Sequence, residues 1–236
     1  MANTIALRKQ YSTLLDEVYK LSSLTAVLDG PNELVKEGAN ANEILIPKLS
    51  MQGLADYNKS TGYVAGDVTL DYETKKCAYD RGRMFNVDAM DNIESAGIAF
   101  GRLSGEFLRT QVVPELDAYR LAAYAQIAGV TTVKGALTNG KEALAALRAA
   151  RGKIENAEAN LATCYLFINP TVYGMIEDLD TTASKKAIEG FAGIVKVPSG
   201  RFYSKVKLNA SGAGGFAKDT GGVAMNFLIV DKQSAI

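Results

Sequence analysis

The sequence contains no histidine among its 236 residues. Histidine supplies most general acid–base catalysis near neutral pH and much of the nitrogen ligation of metals in proteins. Its absence excludes Ser-His-Asp and Cys-His catalysis and also excludes histidine-bound zinc. For the chain as a whole we expect no catalytic residues, no metal site and no cofactor, and we do not expect it to be an enzyme.

Cysteine and long apolar runs are also scarce. The two cysteines, Cys77 and Cys164, lie far apart and form no CxxC motif, so we expect two free thiols in a reducing compartment. The N-terminus lacks an apolar run of signal-peptide length, and no stretch approaches the roughly 20 apolar residues of a membrane helix. We expect a protein that is made in the cytosol, stays there or is released with it, and has no membrane partner.

The chain has no excess of either charge. The 26 lysines and arginines balance the 26 aspartates and glutamates, so no strong overall field favours a nucleic-acid or membrane partner. Local charged patches remain compatible with this balance. A chain of this length contains one or two domains and can bury roughly 70 to 75% of its unfolded surface.

A long amphipathic pattern runs from residue 91 to residue 129. Pro114 interrupts the pattern, which then resumes, so we predict one long helix that is kinked or restarted at Pro114 and ended by Gly129. Its apolar residues recur three, four and seven apart: Ile93, Phe100, Leu103, Phe107 and Leu108. Three glycines lie four apart on one face of this helix: Gly97, Gly101 and Gly105. Each destabilises the helix by about 1 kcal/mol relative to alanine. We expect another backbone to pack in the shallow groove that they leave.

A strand-like segment, residues 79–88, leads into this helix. It concentrates charge around Gly82. Alternating charges in a strand are often merely exposed, but four of them around one glycine favour a salt-bridge cluster at an interface. The four charged residues are Asp80, Arg81, Arg83 and Asp88.

The N-terminal part of the sequence predicts an arm followed by a hairpin. Residues 5–23 have the pattern of a short amphipathic helix, and residues 38–42 read as a loop. Residues 44–49 and 68–73 have strand patterns, and a polar, glycine-punctuated passage separates them. A hairpin with so few large apolar residues at its tip cannot bury much of itself. We expect it to pack on a partner molecule.

The second half predicts a small α/β unit. Helical patterns cover residues 141–151 and 171–179, and an unbroken apolar run at 164–168 predicts a buried strand. Residues 194–197 and 227–230 predict further strands. Between these last two strands, five glycines within residues 212–222 predict a flexible loop.

One loop partly matches a phosphate-binding motif. Residues 135–141 fit the first seven positions of a P-loop, and residues 227–231 could imitate its second, metal-positioning strand. Glu142, however, stands where a hydroxyl should meet magnesium, and a carboxylate there would repel phosphate. Capping of a helix by Thr138 or Asn139 accounts for the loop more simply. A nucleotide-binding enzyme stays a remote alternative.

Two further groups of polar residues resemble catalytic or metal sites but are better explained as ordinary surface residues. Paired carboxylates can hydrolyse glycosides or hold magnesium, but Glu177, Asp178 and Asp180 have the spacing of an ordinary solvated helix end. Ser184 precedes Lys185, yet adjacent residues seldom face each other, so we interpret the pair as surface.

Three groups of residues, taken in order, resemble the major capsid proteins of tailed bacteriophages. The first is Gln52-Gly53-Leu54-Ala55-Asp56-Tyr57 with Thr61-Gly62-Tyr63. The second is Tyr79-Asp80-Arg81-Gly82-Arg83-Met84-Phe85 with Asp88 and Asp91, and the third is Val112-Val113-Pro114-Glu115-Leu116-Asp117-Ala118-Tyr119. The likeness covers roughly residues 43–231 and is strongest to phages of low-GC Gram-positive bacteria.

The resemblance implies an α+β chain with the Hong Kong 97-type capsid fold. Residues 1–42 would be an N-terminal arm, and residues 43–87 an extended β-hairpin loop. Residues 88–137 would form the peripheral domain with its spine helix, and residues 138–225 a smaller α/β axial domain. Residues 226–236 would be a strand returning toward the peripheral domain, truncated relative to the family.

The resemblance also implies a structural role in a virion. The chain would self-assemble into hexamers and pentamers of an icosahedral prohead and head around double-stranded DNA, which it would contact without sequence specificity. It would need a separate scaffolding protein and a portal, and assembly would occur in the host bacterial cytoplasm. An encapsulin-like compartment shell is the nearest alternative. The extended loop would lie over an adjacent subunit and place five residues near contacts between subunits: Tyr57, Tyr63, Asp80, Arg81 and Arg83.

Overall fold

The computed structural model describes residues 23–30, 36–37, 43–60, 62–76, 79–85, 98–210 and 214–234. The chain contains helices and sheets and belongs to the general α+β class. It divides into two compact units. The smaller unit is Pro31–Asn86, and the larger combines Met1–Gly30 with Val87–Ile236.

The smaller unit is built on a long antiparallel hairpin. Strand β1 (Lys36–Glu37) pairs with β2 (Glu43–Met51), which pairs in turn with β3 (Val68–Lys76). The β2–β3 register runs unbroken over nine pairs, from Glu43 opposite Lys76 to Met51 opposite Val68. The predicted strands and hairpin are therefore confirmed. The predicted helix over 5–23, except for Ser23, and the predicted loop over 38–42 lie outside the described residues.

The segment after β3 differs from the prediction. Residues 79–85 form no strand, and all but Tyr79 are exposed. Asp80 and Gly82 in this segment belong to residue types that are depleted in strands. The rest of the predicted strand, from residue 86, lies outside the described residues.

The larger unit begins with a continuous helical rod. It consists of α1 (Ile98–Phe107), a π-helical segment (Leu108–Val112) and α2 (Val113–Ala125). Pro114 lies in the first turn of α2. The rod neither breaks nor restarts at Pro114. Proline has no N–H to donate within the helix, and the wider π turn that precedes it accommodates this loss. The predicted part before Ile98 is outside the described residues.

The rod ends earlier than predicted. Its glycine-bearing face is also uncovered at Gly105, the glycine whose surroundings are described. The backbone N–H of Gln126 bonds the carbonyl of Ala123 and that of Ile127 bonds the carbonyl of Tyr124, so the helix ends at Ala125 rather than at Gly129. No other described atom lies within 4 Å of where a Cβ on Gly105 would be. The described part of the chain therefore does not supply the backbone expected to pack on Gly105, and the surroundings of Gly97 and Gly101 lie outside the description.

A three-stranded sheet forms the centre of the larger unit. Strand β4 (Cys164–Ile168) lies between β5 (Gly193–Lys196), which is parallel to it, and β8 (Phe227–Asp231), which is antiparallel. Strand β4 carries the predicted unbroken apolar run and is largely buried, which confirms that prediction. Residues 227–231, which the resemblance assigns to a returning strand, form the third strand of this sheet.

The two faces of the central sheet pack against two different hydrophobic clusters. Leu166 and Ile168 of β4 pack with α3 (Gly140–Asn156), α4 (Pro170–Glu177) and α5 (Thr182–Ile188). Phe167, which points to the opposite face, packs with Leu121 of α2. Helices thus cover both faces of the sheet. The predicted helices over 141–151 and 171–179 are confirmed.

Two predictions for the second half were wrong. The 212–222 loop contains strand β7 (Phe216–Lys218), which pairs with β6 (Val206–Leu208), because the Asn209 amide bonds the Gly214 carbonyl and closes the turn. Ser184 is buried rather than on the surface. It forms a capping box with Thr181 at the start of α5, where each side chain accepts a hydrogen bond from the other residue's backbone N–H.

An N-terminal strap, residues 23–30, is bound to the rod through Asp117. This carboxylate is fully buried in α2 and lies 3.8 Å from Arg201 Nη1. At the end of the strap, the carboxylate of Asp29 pairs with Arg120 at 2.9 Å. Four groups of the strap donate to Asp117: Ser23 Oγ at 2.6 Å, Thr25 Oγ1 at 2.7 Å, Leu24 N at 3.0 Å and Thr25 N at 3.2 Å.

Candidate assembly surface

The hairpin register sorts its side chains into two chemically different faces. Residues directly opposite each other in a β-ladder lie on the same face, and the faces alternate along each strand. The apolar face carries Leu45, Pro47, Leu49 and Met51 from β2 and Val68, Leu70 and Tyr72 from β3, with the polar residues Glu43, Thr74 and Lys76 at its base. The polar face carries Ile44, Ile46, Lys48 and Ser50 from β2 and Thr69, Asp71, Glu73 and Lys75 from β3. The hairpin is therefore amphipathic.

The apolar face is uncovered along most of its length. Leu49 is 57% exposed and Met51 67%, and Val68 and Leu70 opposite them are similarly exposed. All nine residues of β3 are exposed. Contiguous apolar exposure of this kind, backed by a polar face, is typical of interaction surfaces.

The polar face has its own ion pairs. Lys48 and Lys75 both contact the carboxylate of Glu73. The hydrogen bond from Lys75 lowers the pKa of Glu73, and the positive charges of both lysines add to this effect. Asp71, next on this face, has no lysine or arginine within 4 Å among the described residues, although it accepts a hydrogen bond from the Tyr72 N–H. This face is suited to solvent.

The tip of the hairpin brings Tyr57 and Tyr63 together. Their ring centroids lie 5.0 Å apart with a tilt of 51°. A tight turn holds them, because Gly62 N donates to Asn58 O at 2.7 Å and the Ser60 hydroxyl and amide bond the Asn58 side chain. Gly62 has φ +78°, a conformation that favours glycine. Both rings are exposed and pre-positioned, as the anchors of an interface are.

The charged residues predicted near the interface lie in an exposed segment of the same unit. Asp80, Arg81 and Arg83 are all exposed. Asp80 forms an ion pair with neither arginine, and the fourth predicted member, Asp88, lies outside the described residues. The salt-bridge cluster between subunits thus stays a prediction.

The P-loop-like segment is a helix cap. The side chain of Asn139 accepts from Glu142 N at 3.0 Å at the start of α3, which confirms the capping prediction. The Glu142 carboxylate accepts from Thr138 N at 2.9 Å and from Thr138 Oγ1 at 2.8 Å, and these bonds lower the pKa of Glu142. Residues 130–137 form no strand before the loop. A carboxylate therefore already lies where a phosphate would have to bind.

The other predicted clusters are structural. Glu177, Asp178 and Asp180 are exposed, and Lys185 bonds Asp180 at 2.8 Å and lowers its pKa. Cys164 is a free, buried thiol whose pKa is raised by burial and by the charge of Asp231. The described residues contain no cluster of three or more metal-ligating side chains. Within the same residues, every helix is too short or too polar to cross a bilayer.

Sequence reasoning missed an exposed connection between α2 and α3. Ile127, Val130 and Val133 in this connection are exposed apolar residues. The β-branched run from Val130 to Val133 was a usable signal, because such residues favour strands. Residues 130–134 read as a poor buried strand to precede a phosphate-binding loop, and the structure forms no strand there.

Comparisons with protein-family models, with curated proteins and with solved structures gave no match to the chain. The functional evidence is therefore the set of motifs in the sequence and the geometry of the two units. Of these, the hairpin carries an apolar face whose described residues are largely exposed.

Proposed function

We propose that this chain is a shell-forming subunit, a major capsid protein of the tailed-bacteriophage type with the Hong Kong 97-type fold. It assembles with copies of itself into hexamers and pentamers of an icosahedral head around double-stranded DNA. The ordered motifs quoted above support this role. The uncovered apolar face of the β2–β3 hairpin is the main structural support.

Each part of the chain has a place in this proposal. The hairpin is the extended loop, the rod of α1 and α2 is the spine helix, and the β5–β4–β8 sheet with its helices is the axial domain. A separate scaffolding protein and a portal take part in assembly in the host bacterial cytoplasm. The tyrosine pair and the charges at 80–83 lie at contacts between subunits.

The hairpin explains why association would be favourable. A two-stranded ribbon is marginally stable by itself in water. Fully burying a valine, leucine or methionine contributes about 1.5–3 kcal/mol. Four such residues that are already part-covered would contribute about 4 kcal/mol in total when a neighbour covers them. Repeated around a ring, this contribution stabilises a closed assembly.

Particle formation by the purified chain tests the proposal. Negative-stain electron microscopy and light-scattering mass, each with and without the scaffolding protein, should show rings or closed shells. A monodisperse monomer under both conditions would contradict the proposal. Nuclease-protected DNA in particles isolated from infected cells would separate a capsid from an encapsulin-like shell, which holds protein cargo.

Two adjacent substitutions provide a matched pair. Leu49→Glu places a charge on the apolar face, and we expect it to abolish rings and shells. Ser50→Glu places the same charge one residue away on the polar face and should assemble as the unmodified chain does. Equal assembly of both variants would show that the apolar face is not an interface.

A further inference from the structure

The apolar face of the hairpin ends in an exposed methionine. Met51 is the last residue of β2, lies opposite Val68 and is 67% exposed. A thioether this exposed is open to oxidants in solution. Met175 and Met225, in the larger unit, are both part-buried. An oxidant therefore reaches Met51 more readily than it reaches these two.

The side chains around Met51 are unsuited to an oxidised sulfur. Val68 lies directly opposite it, and Leu49 and Leu70 form the next pair on the same face. These three aliphatic side chains have no hydrogen-bond donor. A methionine sulfoxide carries a polar S=O group, and burying such a group without a donor is unfavourable. Oxidation of Met51 therefore works against the covering of this end of the face.

We infer that Met51 is an oxidation site that controls assembly: the chain assembles while Met51 is a thioether and is blocked from assembling once Met51 is a sulfoxide. This inference rests on the proposed function, because it concerns the face that a second copy covers. The oxidant is hydrogen peroxide, which transfers one oxygen to the sulfur and is itself reduced to water. A methionine sulfoxide reductase reverses the step with a thiol as reductant. The thiol becomes a disulfide, and the oxygen leaves as water.

A second exposed methionine provides the matched control. Met84 is 82% exposed and belongs to the same unit, but it lies outside the apolar face. Arg81 and Arg83 are close to it in the chain, and a guanidinium group can donate a hydrogen bond to a sulfoxide oxygen. We therefore expect peroxide to oxidise both methionines, and only the sulfoxide at Met51 to oppose assembly.

Peroxide treatment of unassembled subunits tests the inference. Peptide mass spectrometry should find sulfoxide at both Met51 and Met84, and the treated chain should need an at least about tenfold higher protein concentration to assemble. Met51→Leu, a substitution of similar volume, should assemble normally after the same treatment, whereas Met84→Leu should stay sensitive to it. Methionine sulfoxide reductase with dithiothreitol should restore assembly of the treated, unmodified chain.

Polar variants give a second readout that needs no oxidant. Glutamine carries a polar group in place of the thioether, so Met51→Gln should also raise the concentration needed for assembly at least about tenfold, and Met84→Gln should not. Circular dichroism of each variant would check its fold. Unchanged assembly of a chain oxidised at Met51, or equal sensitivity of Met51→Leu and the unmodified chain to peroxide, would overturn the inference. Failure of the untreated, unmodified chain to form particles would instead count against the proposed function.

Discussion

Replacing Asp117 with alanine should detach the N-terminal strap from α2. The carboxylate is 0% exposed and accepts four hydrogen bonds from the strap, two of them from backbone N–H groups. Alanine would leave these donors without an acceptor, and each buried donor left unsatisfied costs about 1–3 kcal/mol. Water would reach the part-buried Ser23 and relieve some of this cost. We therefore expect a loss of about 3–5 kcal/mol in the free energy of unfolding.

Thermal unfolding of the unassembled subunit measures this loss. For a chain of this size each kcal/mol corresponds to about 2–4 °C in Tm, so Asp117→Ala should lower Tm by about 6–20 °C. The Tm of Asp117→Asn should lie between those of the unmodified chain and Asp117→Ala. The amide oxygen can still accept a hydrogen bond, but the amide nitrogen cannot accept from Leu24 N. Limited proteolysis should cleave after residue 22 sooner in the alanine variant.

Asp29→Ala is the matched control for this experiment. Asp29 belongs to the same strap and pairs with Arg120, but the pair is part-exposed, and such pairs contribute about 0–1 kcal/mol. A Tm for Asp117→Ala within 2 °C of the Asp29→Ala value would refute the view that the buried carboxylate anchors the strap.

Further predictions concern helix α3. A Cβ at Gly140 would collide with the carbonyl oxygen of Met175, so Gly140→Ala should lower the free energy of unfolding by about 1–3 kcal/mol in denaturant titrations. Gly152→Ala, in the same helix with nothing within 4 Å, should raise it by up to about 1 kcal/mol, and similar effects of the two would contradict this packing. The hydrogen bonds from Thr138 lower the pKa of Glu142. The stability from this cap is therefore present above the unfolded-state pKa of the carboxyl group and is lost as pH falls through its lower folded-state pKa. Glu142→Gln should flatten the acid limb of a plot of Tm against pH, and an unchanged limb would rule out this cap as its source.

Periodicity was enough to predict the elements that have a strong local signal. Residues 44–49 and 68–73 alternate, and residues 164–168 are uniformly apolar, so both hairpin strands and the buried strand β4 could be read directly. The capping role of Asn139 followed from its place before an alanine-rich helix. These features depend on residues near one another in the chain.

Features that depend on pairing between distant residues could not be predicted. The apolar face of the hairpin became visible only when the register placed Leu49 opposite Leu70. Strand β7 lies in a glycine-rich stretch, and its pairing with β6 outweighed that composition. The burial of Ser184 depends on a capping box within a helix that has few apolar residues. The β-branched residues at 130–133 favour a strand, but whether their backbone pairs with a neighbour depends on residues distant in the chain.

The π-helical segment at Leu108–Val112 also affects how the two halves of the rod are oriented about their common axis. A π turn accommodates one more residue than an α turn, and one residue corresponds to about 100° of rotation around a helix. The residues of α2 are therefore rotated by that angle about the axis relative to where an uninterrupted α-helix would place them. Leu121 of α2 packs against the sheet beside Phe167 of β4. A single rod can in this way serve two surfaces that do not lie in line.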